Sequence, residues 1–306
     1  MCVGMRCKSQ KRQWRKLWGV GGILVILLWS SGAFASPTKT ASAHRIVSLT
    51  GPVTEALFAL GVGQHVVGRD TSSYYPAQVK KIPTVGYQHR LNAEGILRLK
   101  PSLVIGTTGV KPHFVLKQIK AAGIRVLLLK TAKDVATSQQ MLRALGQALK
   151  KEKRAEALIS SMNQTLKTLT SFKKKREGKK ARVAFLYVRG SRVRFVVGKG
   201  NPVSGMIALA GAKNVATFRG VKPVSAEALL SLRPDVIVLF KKGLRSMGGL
   251  KVFKRMPGLS LTPAGKKNRF IVMDDLFLGG FGPRCGEAAL ALFRGIYEAK
   301  GTHVVK

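Results

Sequence analysis

The sequence predicts an α/β fold in which two similar lobes are joined by a long helix. Three observations lead to this prediction: a repeated helix–proline–strand unit, alternating strand and helix patterns around each copy, and a long helical stretch between them. The two copies occupy residues 92–105 and 225–238, an offset of 133 residues throughout. Such alternation of strands and helices favours parallel sheets covered by helices.

Each copy of the repeat predicts a short amphipathic helix followed by a buried strand. Asn92 and Ser225 are N-cap residues, and a proline ends each helix before a β-branched apolar run. A second echo pairs Gly61 with Gly211, each a predicted helix cap. Because both repeated segments occur in the same order in the two halves of the chain, they favour two lobes of similar topology over chance similarity.

The first lobe is predicted to run from residue 36 to 134. Its apolar β-branched runs predict strands, and its amphipathic stretches predict helices. The predicted strands are 45–49, 66–68, 103–106 and 125–129, and the predicted helices are 53–60, 94–99 and 111–122.

Residues 135–175 are rich in Ala, Leu, Met, Lys and Gln and contain no proline, which predicts one continuous helix. About 40 helical residues span roughly 60 Å, too long for one lobe but suitable for a rigid spine between two. The second lobe is predicted at 176–306, with strands at 183–187, 195–197, 236–239 and 270–273 and a closing helix at 287–300.

The first 35 residues are typical of a cleaved signal peptide. A basic stretch precedes an apolar run from Val20 to Leu28, and Ala33-Phe34-Ala35 matches the cleavage pattern. A retained anchor is the alternative, but the apolar run is well short of the roughly 20 residues that span a bilayer. Removal of this segment leaves Cys285 as a lone thiol, expected to be buried and idle.

The chain is strongly basic, with 54 Lys and Arg against 13 Asp and Glu and a formal net charge of +41. Such a surface attracts anions, anionic lipid and nucleic acid. The export signal and the wide spread of the basic residues argue against a nucleic-acid partner; only the stretch 173–180 is a dense basic run.

The sequence contains no enzyme motif, neither G-x-S-x-G nor H-E-x-x-H nor a P-loop. Its five histidines include no pair at i, i+4, which gives little support to a zinc site. We therefore expect a binding protein and not an enzyme.

Tyr87 is the candidate ligand-binding residue, with His89 and Arg90 as basic neighbours just before the first repeated helix. Ligands of open α/β sheets bind at the carboxyl ends of the strands, where this segment lies. A nearby cation lowers the pKa of a phenol, and a phenolate suits ferric iron. The alternative from chemistry alone is a tyrosine that packs a loop.

Three segments resemble the periplasmic haemin-binding proteins of bacterial ABC importers. Residues 85–105 match V-G-Y-x-x-x-L-x-A-E-G-I-L-x-L-K-P-x-L-V-I, 277–284 are similar to L-L-G-F-G-P-R, and 241–249 are similar to R-G-L-x-x-x-G-G. The resemblance extends from about residue 45 to 300. It implies two Rossmann-like lobes with ferric haem held in the cleft between them.

This resemblance also implies roles for single residues. Tyr87 becomes the axial iron ligand, and His89 stands where the family often has a basic residue. Lys242 would bond the ligating tyrosine or a propionate, and Arg189 and Arg284 would meet propionates. The second-lobe histidine ligand of some members has no counterpart in 187–191.

The family's partners are an inner-membrane ABC permease and ATPase, reached in the periplasm, with an outer-membrane haem receptor involved only indirectly. Glu55 matches the first-lobe acidic residue that docks on the permease, whereas the corresponding helix 202–210 has no carboxylate. Two alternatives remain open. One is a ferric-siderophore or cobalamin binder of the same fold, and the other is a basic envelope protein that binds anionic lipid or nucleic acid.

Overall fold

The computed structural model describes residues 45–190 and 192–305. The predicted signal peptide, 1–35, lies outside these residues. Within the described ranges, no helix combines the length and the apolar character needed to cross a membrane.

The first lobe is a four-stranded parallel sheet with helices and one separate hairpin. Its sheet has the order β2-β1-β5-β6, and β3 pairs antiparallel with β4. The elements in chain order are β1 (Ile46–Ser48), α1 (Gly51–Ala59), β2 (Val66–Arg69), β3 (Gly86–Tyr87), β4 (Arg90–Leu91), α2 (Ala93–Leu97), β5 (Leu103–Thr107), α3 (His113–Ala121) and β6 (Arg125–Leu129).

The spine is made of two helices, α4 (Val135–Leu149) and α5 (Glu152–Lys175). The prediction of one continuous helix over 135–175 is therefore wrong. The break lies at Lys150, whose backbone is left-handed with φ 55°. Folding back buries the apolar stripe of α4, which a straight helix would leave exposed.

Side chains confirm that α4 lies antiparallel to α5. Arg143 bonds Glu156 at 2.8 Å, and the Gln139 amide donates to Asn163 at 2.8 Å. The longer helix of the spine is the 24-residue α5, about 36 Å long.

The second lobe is a mixed sheet with the order β10-β8-β7-β11-β12-β13, and β9 pairs with β7. The expected parallel pairing is found among β7, β9, β11, β12 and β13, whereas β8 runs antiparallel to both β7 and β10. The elements are β7 (Arg182–Arg189), β8 (Val193–Val197), α6 (Pro202–Leu209), β9 (Lys213–Asn214), β10 (Val221–Pro223), α7 (Ala226–Leu232), β11 (Val236–Phe240), α8 (Lys241–Ser246), α9 (Leu250–Lys254), α10 (Pro263–Lys266), β12 (Phe270–Met273), α11 (Asp275–Gly279), α12 (Cys285–Tyr297) and β13 (His303–Val304).

Both copies of the repeat form as predicted. The Asn92 side chain accepts from the Glu94 amide at 2.9 Å, and the Ser225 hydroxyl accepts from the Ala228 amide at 3.1 Å. Each cap precedes a short helix and then a buried strand, β5 in one lobe and β11 in the other. The α/β fold is confirmed, while the lobe limits at 134 and 176 stay a prediction.

A single apolar core joins the two sheets through the helical layer. It combines side chains of β1 and α1 with those of α4, α5 and α12 and with those of β7 and β11. Opening the lobes as rigid bodies would expose part of this core, so the packing favours small movements over wide closure.

Candidate functional site

Tyr87 lies in the β3–β4 hairpin at the carboxyl edge of the first sheet. Tyr87 pairs with Arg90 across the hairpin, and Gly86 takes φ 99°, a backbone angle that favours glycine. The Lys111 amide donates to the Gln88 carbonyl at 2.7 Å, which ties the turn to the loop after β5. The hairpin leaves Tyr87 45% exposed, so a ligand can reach its phenol.

The surroundings of Tyr87 raise its pKa. Burial is the main cause, with smaller contributions from Tyr187 and Asp70, while the positive charge of Arg189 opposes them. The expectation that basic neighbours lower this pKa is wrong, because Arg90 is exposed to solvent and burial dominates. Since Arg189 and Tyr187 end β7, second-lobe groups act on Tyr87 across the cleft.

His89 meets the edge of the Tyr87 ring. The two ring centroids are 5.2 Å apart with an interplanar angle of 80°, a T-shaped contact. This contact supports the orientation of the Tyr87 ring from within the same hairpin.

Lys242 lies at the start of α8, directly after β11. Its Nζ lies 3.2 Å from the centroid of the Tyr74 ring, and its backbone amide donates to Asp275 at 3.1 Å. Burial lowers the pKa of Lys242, while Asp275, Asp274 and then Asp70 raise it. Asp70 acts electrostatically on both Lys242 and Tyr87, so each of these side chains lies within range of its carboxylate.

A glycine fixes where α8 begins. A Cβ on Gly243 would clash with the Val188 carbonyl of β7, so the K-G-L segment packs directly against that strand. The Ser246 hydroxyl accepts from the Gly190 amide at 3.0 Å and thereby holds the end of β7 beside α8. Arg189 and Lys242 are therefore carried by two elements locked to each other.

Asp70 is the buried centre of the loop after β2, and the sequence analysis missed it. The residue is 0% exposed, and its carboxylate accepts from the Ser72 amide and hydroxyl and from the Ser73 hydroxyl. Burial raises its pKa, against the effect of these hydrogen bonds. The pattern Asp-x-Ser after a strand is typical of such a turn and was the available signal.

Tyr74, which follows Ser73 in that loop, contacts the second lobe. Tyr74 donates from its hydroxyl to Asp274 at 3.0 Å and accepts from the Leu276 amide at 2.8 Å. The Lys242 ammonium lies over the Tyr74 ring. Tyr74 therefore contacts the start of α8 through its ring and the start of α11 through its hydroxyl.

Arg284 and Glu55 do not have the predicted environment. Arg284 bonds both Glu55 carboxylate oxygens at 2.9 Å and stacks on the Tyr75 ring at 3.4 Å. Because its guanidinium binds Glu55 and Tyr75, Arg284 is not available to bind a propionate. Glu55 is 3% exposed, and a docking residue must be accessible, so the structure does not support its assignment to permease docking.

The 277–284 segment is therefore a structural junction. The Ser138 hydroxyl of α4 donates to the Gly282 carbonyl at 3.3 Å, beside the Glu55 carboxylate. Cys285, which follows, is buried as expected, and burial raises its thiol pKa to about 11.

Tyr87 thus contacts His89, the charge of Arg189 acts on its phenol, and Asp70 acts on both Tyr87 and Lys242. In the residues described, no three His, Cys, Asp or Glu side chains form a cluster that could hold a bare metal ion. Tyr87, Arg189 and Lys242 offer one phenol and two cations, which suits an anionic ligand that brings its own metal.

Comparisons with known proteins point in the same direction. The sequence profile of the periplasmic binding protein family matches residues 46–276. An uncharacterised ABC transporter substrate-binding lipoprotein of Bacillus subtilis, YvrC, is 31% identical over 83% of this chain and 80% of its own length. The vitamin B12-binding protein of Photorhabdus laumondii is 26% identical over 74% of this chain and 80% of its own.

Solved structures of haem-binding proteins are also similar. The periplasmic haem-binding protein RhuT from Roseiflexus sp. RS-1 superposes with a TM-score of 0.80 and 41% identity, over 83% of this chain and 98% of RhuT. The periplasmic haem-binding protein HutB of Vibrio cholerae gives a TM-score of 0.75 and 31% identity, over 84% of this chain and 100% of HutB.

Proposed function

The chain belongs to the periplasmic binding protein family, and from that premise we propose that it captures haem and delivers it to an ABC importer of the inner membrane. The observation that carries the proposal is the half-exposed Tyr87 side chain, on whose phenol the positive charge of Arg189 acts from the second lobe. The solved relatives named above support haem in particular, since they are haem-binding proteins.

Tyr87 is proposed as the axial ligand of the ferric iron. A porphyrin already supplies four nitrogen ligands, so the protein needs only one anionic oxygen donor, and tyrosine is a known haem ligand. Burial raises the pKa of the Tyr87 phenol. Iron binding displaces the proton of this phenol. The proposed role of His89 is to hold the ring by its edge contact rather than to ligate iron.

The two propionates are proposed to bind Arg189 and Lys242. Charge-assisted bonds from these cations to carboxylates are stronger than neutral ones. Lys242 is suited to the task because the Tyr74 ring and the Asp275 contact fix the start of its helix. Arg90, which is exposed beside Tyr87, adds positive charge to the entrance of the cleft.

Cobalamin is the second candidate, because several curated relatives are vitamin B12-binding proteins. The peripheral side chains of cobalamin are mostly uncharged amides, whereas haem carries two carboxylates. The cations Arg189 and Lys242 therefore favour haem.

The proposed partners are the permease and the ATPase of the importer, and the proposed location is the periplasm. The relatives are substrate-binding proteins of transport systems, which supports a binding role and not catalysis. The proposed site residues give no support for a nucleic-acid partner. Docking on the permease would use accessible side chains other than Glu55.

A pair of titrations tests the ligand. Haemin and cyanocobalamin are added separately to the purified protein, and absorbance is followed. The proposal expects a shifted, saturable Soret band with haemin at one site and no saturable change with cyanocobalamin. Saturable binding of cyanocobalamin without a haemin complex would contradict it.

A further inference from the structure

Segment 241–269, which joins β11 to β12 in the second lobe, is the basic crossover. It contains nine Lys and Arg residues and no Asp or Glu. Two of the nine are engaged elsewhere, Lys242 at the cleft and Arg269 on the Ile296 carbonyl. This leaves a long acid-free surface outside the ligand site.

The basic crossover is rigidly attached to the sheet beneath it. Phe253, Leu259 and Ala264 are buried in the second core, and the Phe253 ring meets Phe270 of β12 edge-to-face at 5.4 Å. The Ala264 amide also donates to the Pro234 carbonyl at 2.9 Å. With its apolar face fixed inward, the segment directs its charged side chains outward.

Besides Lys242, six cations of the basic crossover are exposed. In the parts of the chain that the structure covers, none of them forms an ion pair. They are Arg245, Lys251, Lys254, Arg255, Lys266 and Lys267. Glu227 on α7, which packs against the turn at 259–261, is one exposed acidic residue beside them. The surface therefore keeps a strong positive charge.

Two large apolar side chains stand among these cations. Val252 is 44% exposed and Leu261 is 60% exposed, although Phe253, Met256 and Leu259 of the same segment are buried. Solubility needs the cations but not the exposed apolar groups. Exposed apolar side chains surrounded by lysine and arginine are typical of surfaces that lie on a membrane.

We propose that the basic crossover docks on an anionic phospholipid bilayer. The exposed cations contact headgroup phosphates, and Val252 and Leu261 enter the boundary between headgroups and acyl chains. A nucleic-acid partner fits less well, because single strands are held by stacking on exposed aromatic rings and the Phe253 ring here is buried. Attachment to the bilayer would raise the protein's effective concentration near a membrane-embedded partner.

Vesicle co-sedimentation tests this surface. The purified protein is mixed with vesicles of phosphatidylcholine, alone or with phosphatidylglycerol. The variant Lys254→Glu/Arg255→Glu is compared with Lys150→Glu/Lys153→Glu, which makes the same charge change at the exposed α4–α5 turn, beside Glu152. We expect binding only to the anionic vesicles, weakened at least about tenfold in the crossover variant and far less in the control.

A second variant separates insertion from charge. Val252→Ser/Leu261→Ser keeps every cation, and we expect it to weaken binding to anionic vesicles at constant salt. Equal losses in the crossover variant and the charge-matched control would overturn the proposal. So would unchanged vesicle binding in the crossover variant accompanied by lost binding to duplex DNA. Haemin titration of each variant reports on the haem site separately, since none of the substituted residues belongs to that site.

Discussion

Arg284 donates from Nε and Nη2 to the two carboxylate oxygens of Glu55, both at 2.9 Å. The pair joins α1 of the first lobe to the start of α12, residues 229 positions apart in sequence. Glu55 is buried, and Arg284 is further covered by the rings of Tyr75 and Phe277. A buried bidentate pair of this kind holds the lobes in one relative position.

We expect Glu55→Gln to destabilise the protein by about 3 kcal/mol, because it leaves a partly buried guanidinium without its counter-charge. Urea unfolding measures the change. The control is Glu156→Gln, which breaks the exposed pair with Arg143 and is expected to cost below about 1 kcal/mol. Equal costs for the two variants would show that the buried pair has no special role.

His89→Ala is expected to weaken haemin binding by less than about tenfold, because an edge contact between rings contributes roughly 0.5–1.5 kcal/mol. The protein retains its proposed iron ligand in this variant. Haemin titration at several pH values measures the effect. A loss as large as that of Tyr87→Ala at every pH would make His89 an iron ligand.

Arg189→Met and Lys242→Met are each expected to weaken haemin binding by roughly tenfold or more, through the loss of a charge-assisted bond to a propionate. With haemin dimethyl ester, which has no free carboxylates, the loss in Lys242→Met should vanish and the loss in Arg189→Met should shrink, because the Arg189 charge also acts on the Tyr87 phenol. Arg125→Met, an exposed change at the amino end of β6, is the control. A loss of affinity in Arg189→Met that is as large for the ester as for haemin would contradict a propionate role for Arg189.

Lys150→Gly is expected to stabilise the protein by about 0.5–1 kcal/mol, because glycine adopts a left-handed backbone without the steric cost that lysine carries. Lys151→Gly changes a residue with φ −127° and should instead destabilise by up to about 1 kcal/mol. Thermal unfolding compares the two. A destabilising Lys150→Gly would indicate a helix that continues through this point.

The sequence predicted local features well because each depends on a few neighbouring residues. The caps at Asn92 and Ser225 and the strands that follow are of this kind. The break at Lys150 was missed because it has neither proline nor glycine and arises from the burial of α4 against α5. The ion pair between Glu55 and Arg284 was also missed, because it depends on residues far apart in the sequence.

The site was predicted in part. The V-G-Y and K-G-L segments predict roles for Tyr87 and Lys242 that stay predictions. A charged residue's partner cannot be read from one sequence when it lies two hundred positions away. Glu55 and Arg284 were therefore assigned separate roles, although they form one ion pair. The pKa of Tyr87 depends on burial and on Arg189 from the other lobe, and neither is visible in its own segment.

The central claim is that the Tyr87 phenolate binds ferric haem, and a haemin titration of Tyr87→Phe tests it most directly. Tyr75→Phe is the matched control, since Tyr75 is 40% exposed and Tyr87 is 45% exposed. We predict that Tyr87→Phe loses the phenolate-to-iron charge-transfer band and at least about a hundredfold in affinity, roughly 2.7 kcal/mol, while Tyr75→Phe matches wild type. An unchanged band and affinity in Tyr87→Phe would contradict the account.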